Sequence, residues 1–197
     1  MGIANELAEL NLISGDQVKK VFDDLYQDSL TITMGSGSDF IRSMWARYDN
    51  QTPSLNGKVF EGLLAICLYR MGIRPIYLQA KLAFIPNVDF DFILYSREIG
   101  PVVLSTKTSL RERYKQADLE GMMLRQVHRK ARTYLITMNE VEANSVNDKI
   151  RMGAVLGIDS VVTASLSSFD VFLSELQQLD YIEPPSVQVI TSNKIIK

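Results

Sequence analysis

The sequence predicts a mixed α/β fold: a helical N-terminal region, then a central mixed β-sheet flanked by helices. Three observations carry this expectation. Apolar residues recur at helical spacing in several segments up to Met71, three short β-rich runs follow between Ile76 and Thr108, and helix-compatible and strand-like segments then alternate to Leu179.

In chain order, helical spacing appears in DQVKKVFDDLY (16–26) and in DFIRSMWARY (39–48), the second preceded by the turn-like MGSGSDF at 34–40. A stronger apolar helix spans about 54–71 and stops at Gly72. The runs IYLQAKLAFI, VDFDFILY and GPVVLSTKT are separated by IPN at 85–87 and SREIG at 96–100, which reads as three strands in an antiparallel meander. A polar helix over RERYKQADLEGMMLRQVHRK follows, then a strand RTYLITM, a helix around VNDKIRMGAVL, a strand IDSVVTA and a helix around DVFLSELQQL. The tail 184–197, with Pro-Pro and a β-like VQVI, is left unassigned. At 197 residues the chain is expected to form a single domain, with a helical region at 1–50 and a core at 54–176.

Apolar residues make up 46% and charged residues 22%, the balance of a folded protein rather than a disordered or membrane chain. No apolar run approaches the roughly 18 residues of a membrane span, and no secretion signal is read at the start, so a cytoplasmic location is expected. One cysteine, Cys67, and one histidine, His128, argue against disulfides, Cys/His metal sites and Cys-His catalysis. Net charge is −2, yet eight basic side chains face three acidic ones between Ser105 and Arg132. Such a local basic face fits a polyanion partner or, as the plainer reading, a solvated helix face.

Strand alternation in VDFDFILY puts Asp89 and Asp91 on one face and Phe90 and Phe92 on the other. In the next strand Ser105 and Lys107 share a face, so an acid and a lysine meet if the two strands are neighbours. Glu61 is embedded in VFEGLLAICLY, where an uncompensated carboxylate would be costly and a polar cavity or a cation is expected beside it. An ion pair at a sheet edge plus an exposed glutamate would account for the same residues.

A helical Glu, a strand Asp and a hairpin to a strand ending in Lys is the order of the PD-(D/E)XK nuclease core, which residues 55–125 resemble. The usual second acid of that motif, two residues before the lysine, is replaced here by Ser105. In a subset of restriction endonucleases this acid lies on the following helix, about 13 residues beyond the lysine of an S-x-K motif. Ser105-Thr106-Lys107 is followed by Glu120 at that spacing, with Arg111-Glu112-Arg113 matching the subset's R-[DE]-R triplet between them. The subset reads CCGG, or CC and GG separated by an unspecified base.

The resemblance implies a restriction-endonuclease-like fold and Mg²⁺-dependent hydrolysis of double-stranded DNA, with Mn²⁺ able to substitute. It implies Asp91 as the central metal ligand with Asp89 as runner-up, Glu120 as the second carboxylate and the Thr106 carbonyl as a neutral ligand. Glu61 would orient water or hold a second cation, and Lys107 would contact the attacked phosphate and position the attacking water. For Ser105 an ordinary polar strand position and a direct role stand open alike. Arg111, Glu112 and Arg113 would read bases, because arginine donates twice to guanine and an acid accepts from cytosine; alternatively they form a helix-start cluster and pair with one another. Lys115, Arg125, Arg129 and Lys130 would contact phosphates, and His128 is expected at the surface or near a phosphate.

A palindromic site cut on both strands implies a homodimer, and the resemblance implies a cognate DNA methyltransferase in the same host. Trp45 and the pair Met122 and Met123 are explained by the core at least as well as by a dimer surface. The competing expectations are a repair, junction-resolving or mobile-element nuclease of the same fold, a non-catalytic DNA-binding protein, or an unrelated α/β enzyme. Against the last, the chain contains no G-x-G-x-x-G, no phosphate-binding G-x-x-x-x-G-K-[ST] and no G-x-S-x-G.

Overall fold

A computed structural model describes residues 2–184; the tail beyond Pro184, including the VQVI run, lies outside the described residues. The chain is mixed α/β, with a five-stranded mixed sheet and helices. Its contacts gather into two compact units. One is helical and comprises the chain up to Ile73 with Thr163–Gln177, and the other carries the sheet and runs over Arg74–Val162, continuing from Gln178.

The helical unit contains α1 (Ile3–Glu9), α2 (Asp16–Leu25), α3 (Gly37–Trp45), α4 (Pro53–Arg70) and α7 (Ser167–Gln177). Helix α4 is held at its start by Pro53 and by Thr52, whose hydroxyl accepts from the Leu55 N–H at 3.3 Å. Ten of its residues, from Leu55 to Leu68, are buried on all sides, as suits a central helix. Gly62 allows close packing there, since a Cβ would lie 2.9 Å from side-chain atoms of Ile13 and Phe22. Helix α1, which the sequence does not announce, has no side-chain cap of its own; Asp23 of α2 accepts from the Ala4 N–H at 2.9 Å instead. In the same way Asp170 of α7 accepts from the N–H of Ser38 at 2.8 Å, at the start of α3.

In the other unit β1 (Tyr77–Ala80), β2 (Phe90–Ser96) and β3 (Gly100–Thr106) form the expected antiparallel meander. Helix α5 (Arg113–Val127) then returns the chain to β4 (Arg132–Thr137), parallel to β3, as a parallel pair requires. Helix α6 (Glu140–Arg151) and β5 (Ser160–Thr163) follow, giving the sheet order β1-β2-β3-β4-β5. Asn147 of α6 completes β5 at one point, its amide accepting from the Val161 N–H at 2.9 Å and donating to the Val161 carbonyl at 2.8 Å.

Two boundaries differ from expectation for physical reasons. The first strand is four residues long, not ten: its pairing with β2 ends at Ala80, and later in the same run Phe84 (φ 66°) departs from extended geometry. The apolar pattern of that run still reaches a core, with Leu82, Ile85 and Val88 packed on Phe90, Ile93, Val103 and Leu124. Helix α6 begins earlier than the apolar spacing suggested, because the Asn139 side chain caps it by accepting from the Glu142 N–H at 3.0 Å.

Candidate active site

The register that places Phe92 opposite Leu104 continues to Asp91 opposite Ser105. Directly opposed residues of an antiparallel pair share a face, so Asp91, Ser105 and the following Lys107 are brought together as the alternation predicted. Lys107 lies one residue beyond β3 but remains fixed, since its N–H donates to the Ile136 carbonyl of β4 at 3.0 Å. Asp91 is 13% exposed and Lys107 24%. One carboxylate oxygen of Asp91, Oδ2, accepts from the Thr106 N–H at 2.8 Å, from Lys107 Nζ at 3.2 Å and from Thr106 Oγ1 at 3.4 Å. Among the described residues the other oxygen, Oδ1, receives a long contact, 3.5 Å, from Gln79 Nε2. The whole group is thus held on β2 and β3 at the end of the strands where α5 begins.

The third member comes from α5. Tyr114, Ala117, Gly121 and Leu124 form the buried row of that helix, and Leu124 packs with Val103 and Ile93 on the sheet. Glu120 flanks this row and is half-buried. Burial holds its carboxyl above the usual carboxylate range, and the charge of Asp91 pushes the same way; the Gln116 amide, 2.7 Å from Glu120, and the Lys107 ammonium act against them. Lys107 is thus paired with Asp91 and near enough to Glu120 for its charge to act on that carboxyl.

That group suits a hard divalent cation. Mg²⁺ is held through one or two carboxylates with water completing its shell, and Asp91, through Oδ1, and Glu120 are the two carboxylates here that could serve. Thr106 directs its N–H and hydroxyl to Asp91, so its carbonyl is the ligand it could add. Among the described residues no cluster of three or more His, Cys, Asp or Glu side chains exists, so a closed protein cage of the zinc type is not built.

Of the other predicted residues, Asp89 precedes β2, is exposed and pairs with Lys81 at 3.5 Å, away from Lys107; of the two aspartates Asp91 is the one in the group. Glu61 sits half-buried in α4 of the helical unit. Arg111 and Glu112 lie in the turn before α5, and Arg113 is its first residue. Glu112 pairs with Lys115 and not with the arginines, and the Lys115 contact draws its carboxyl below the usual range. The side chains of Arg111 and Arg113 are exposed and have no ion-pair or hydrogen-bond partner among the described residues. Arg111 also holds φ at 28°, a left-handed value that an arginine rarely adopts.

The predicted phosphate contacts divide. Arg129 and Lys130 are exposed and unpaired among the described residues. Arg125 instead ties α5 to the 153–159 loop, donating to Asp159 at 2.6 Å and to the Leu156 carbonyl. His128 corrects its expectation: it is the half-buried C-cap of α5, with Nε2 buried and without a hydrogen-bond partner among the described residues, and burial lowers its pKa. Trp45 packs on Phe60 and Tyr48, and Met123 on the cluster below α5, as core residues do.

Sequence reasoning missed two residues near the group. Gln79 lies on β1 beside Asp91, where only the register of β1 on β2 brings it. Glu142 holds the segment between Lys107 and α5, accepting from the Leu110 N–H and from Ser109 Oγ; its capping-box position at the start of α6 was visible, its partner 32 residues away was not. Comparison of the chain with protein-family models, with curated proteins and with solved structures gives no match.

Proposed function

We propose that the chain is a Mg²⁺-dependent nuclease of restriction-endonuclease-like fold that cuts double-stranded DNA at a palindromic site containing CC and GG. The observation that supports it best is the ion pair of Lys107, at the end of β3, with Asp91 of β2, two residues picked out by motif spacing, with Glu120 of α5 near enough for its carboxyl to respond to both charges. Asp91 and Glu120, with the Thr106 carbonyl, would hold the cation, which stabilises charge developing on the phosphate and on the departing oxygen.

Lys107, a compact ammonium with one contact to Asp91 Oδ2, presents its remaining donors to a non-bridging phosphate oxygen and to the attacking water. Thr106 and Lys107 together hold one oxygen of Asp91 and leave the other turned away from them. Arg111 and Arg113, without protein partners among the described residues, are disposed to donate to bases or phosphates. Cutting both strands of a palindrome calls for two copies of the chain, and such an enzyme acts in the cytoplasm beside a methyltransferase of the same specificity.

The test is digestion of a large sequenced DNA by the purified chain with Mg²⁺ or with EDTA, followed by end-sequencing. Discrete Mg²⁺-dependent fragments whose ends share CC and GG are expected, lost in Asp91→Asn and Lys107→Met, and degraded to non-specific or no cutting in Arg113→Ala. A Mg²⁺-dependent smear would remove the specificity; intact DNA, or cutting that survives Lys107→Met, would overturn the nuclease reading.

A further inference from the structure

Gln79 carries two unusual features at once. It lies inside strand β1, between the paired residues Leu78 opposite Phe92 and Ala80 opposite Phe90, yet its φ is 45°. The left-handed region is disfavoured for a residue with a Cβ, and nothing in a strand interior calls for it. A turn would explain such a value, but the ladder continues in register on both sides of Gln79. The second feature is the target of its side chain. Its amide nitrogen points to Asp91 Oδ1, 3.5 Å away, the oxygen that Thr106 and Lys107 do not hold.

We infer that Gln79 is a positioning residue of the candidate active site, its amide orienting Asp91 Oδ1 from the edge strand at the expense of local backbone strain. The inference rests on the nuclease reading, because it concerns the oxygen that would face the cation. Three donors fix Oδ2 but leave the carboxylate free to tilt about that point; a donor on Oδ1 from the opposite side removes the freedom. Hydrogen-bond partners of ligating carboxylates typically change metal affinity by about 10–100-fold when removed. Strain retained at such a residue is a common accompaniment of a functional constraint.

The strain and the contact are separable by substitution. Glycine removes the side chain and relieves the left-handed backbone, whereas alanine removes the side chain and keeps the strain. Mn²⁺ binding without DNA, followed by the paramagnetic signal of the free ion, would be measured for the parent chain, Gln79→Gly, Gln79→Ala and Asp91→Asn, with thermal unfolding of each in EDTA. Both Gln79 variants are expected to raise the Mn²⁺ dissociation constant about tenfold and to the same extent. In EDTA the glycine variant is expected to unfold at a higher temperature than the alanine variant. Unchanged Mn²⁺ binding in both, while Asp91→Asn loses it, would overturn the role of Gln79 and leave the active site standing. Affinity lost in the alanine variant alone would assign the effect to the backbone and also overturn it, as would a glycine variant no more stable than alanine. Failure of the parent chain to bind Mn²⁺, or Asp91→Asn binding as the parent does, would overturn the nuclease site and this inference with it.

Discussion

Replacing Glu142 by alanine should loosen the segment that carries Arg111, Glu112 and Arg113 while leaving the sheet in place. Glu142 accepts from the Leu110 N–H at 2.5 Å and from Ser109 Oγ at 3.3 Å, and Leu110 is fully buried. A backbone N–H bonded to a carboxylate contributes about 1.5–3 kcal/mol, and the longer hydroxyl contact about 0.5 kcal/mol. The total is about 3 kcal/mol, which corresponds to an opening of the segment on the order of 100-fold more frequent. Hydrogen exchange of the peptide covering residues 107–113, read by mass spectrometry without DNA, measures that opening directly. Exchange there should accelerate on the order of 100-fold in Glu142→Ala and less in Glu142→Gln, which keeps a neutral acceptor, while β3 and β4 keep their protection. Unchanged exchange at Leu110, or acceleration spread equally over the sheet, would refute the assignment of Glu142 as the anchor of this segment.

Gly157→Ala should be severely destabilising, because its Cβ would lie 1.9 Å from the Asp118 carbonyl and 2.6 Å from the Met122 nitrogen, both backbone atoms of α5. A loss of about 3 kcal/mol or more is expected in denaturant unfolding, and a variant as stable as the parent would contradict the contact. His128 predicts a pH dependence: burial lowers its pKa from 6.5, so its contribution to stability is present above that value and is lost as pH falls toward the folded-state pKa. The unfolding midpoint of the parent should therefore drop between about pH 7 and pH 5 more steeply than that of His128→Gln, and parallel profiles would show that the imidazole does not contribute.

The parts of this protein that were legible in the sequence are those whose determinants are local. Alternation within β2 and along Ser105–Lys107 gives each strand its polar face, and the short hairpin between them makes the two strands neighbours, which brings Asp91 and Lys107 together. Helix α1 was illegible because its cap is Asp23, 19 residues from the N–H it receives. Gln79 was illegible because a strand partner is known only once register is known, and Glu142 because its capping position says nothing of which distant amide it takes. The extent of the first strand failed for the opposite reason: apolar residues of a loop buried in a core look like those of a strand.

The same distinction decides how many charges the basic face can offer to DNA. Counted along the sequence, eight lysines and arginines lie between Ser105 and Arg132. Four have acidic partners: Lys107 on Asp91, Lys115 on Glu112, and both Arg125 and Arg132 on Asp159, which also accepts from the Thr133 N–H. Asp159 lies outside the basic stretch, so no count within that stretch reveals that two of its arginines are held. The remaining four, Arg111, Arg113, Arg129 and Lys130, are exposed and unpaired among the described residues. Each phosphate neutralised contributes about −0.9 to the slope of log affinity against log salt, so these four together with Lys107, which the proposed mechanism places on a phosphate, give about −4.5 per chain, against about −7 if all eight took part. DNA binding measured between low and physiological salt, with Ca²⁺ to prevent cutting, distinguishes the two. A slope near the smaller value, reduced by about one in Lys130→Ala, is expected. A slope near the larger value would mean that the ion pairs on Asp159 open when DNA binds, and the division of this face into structural and DNA-facing charges would fall.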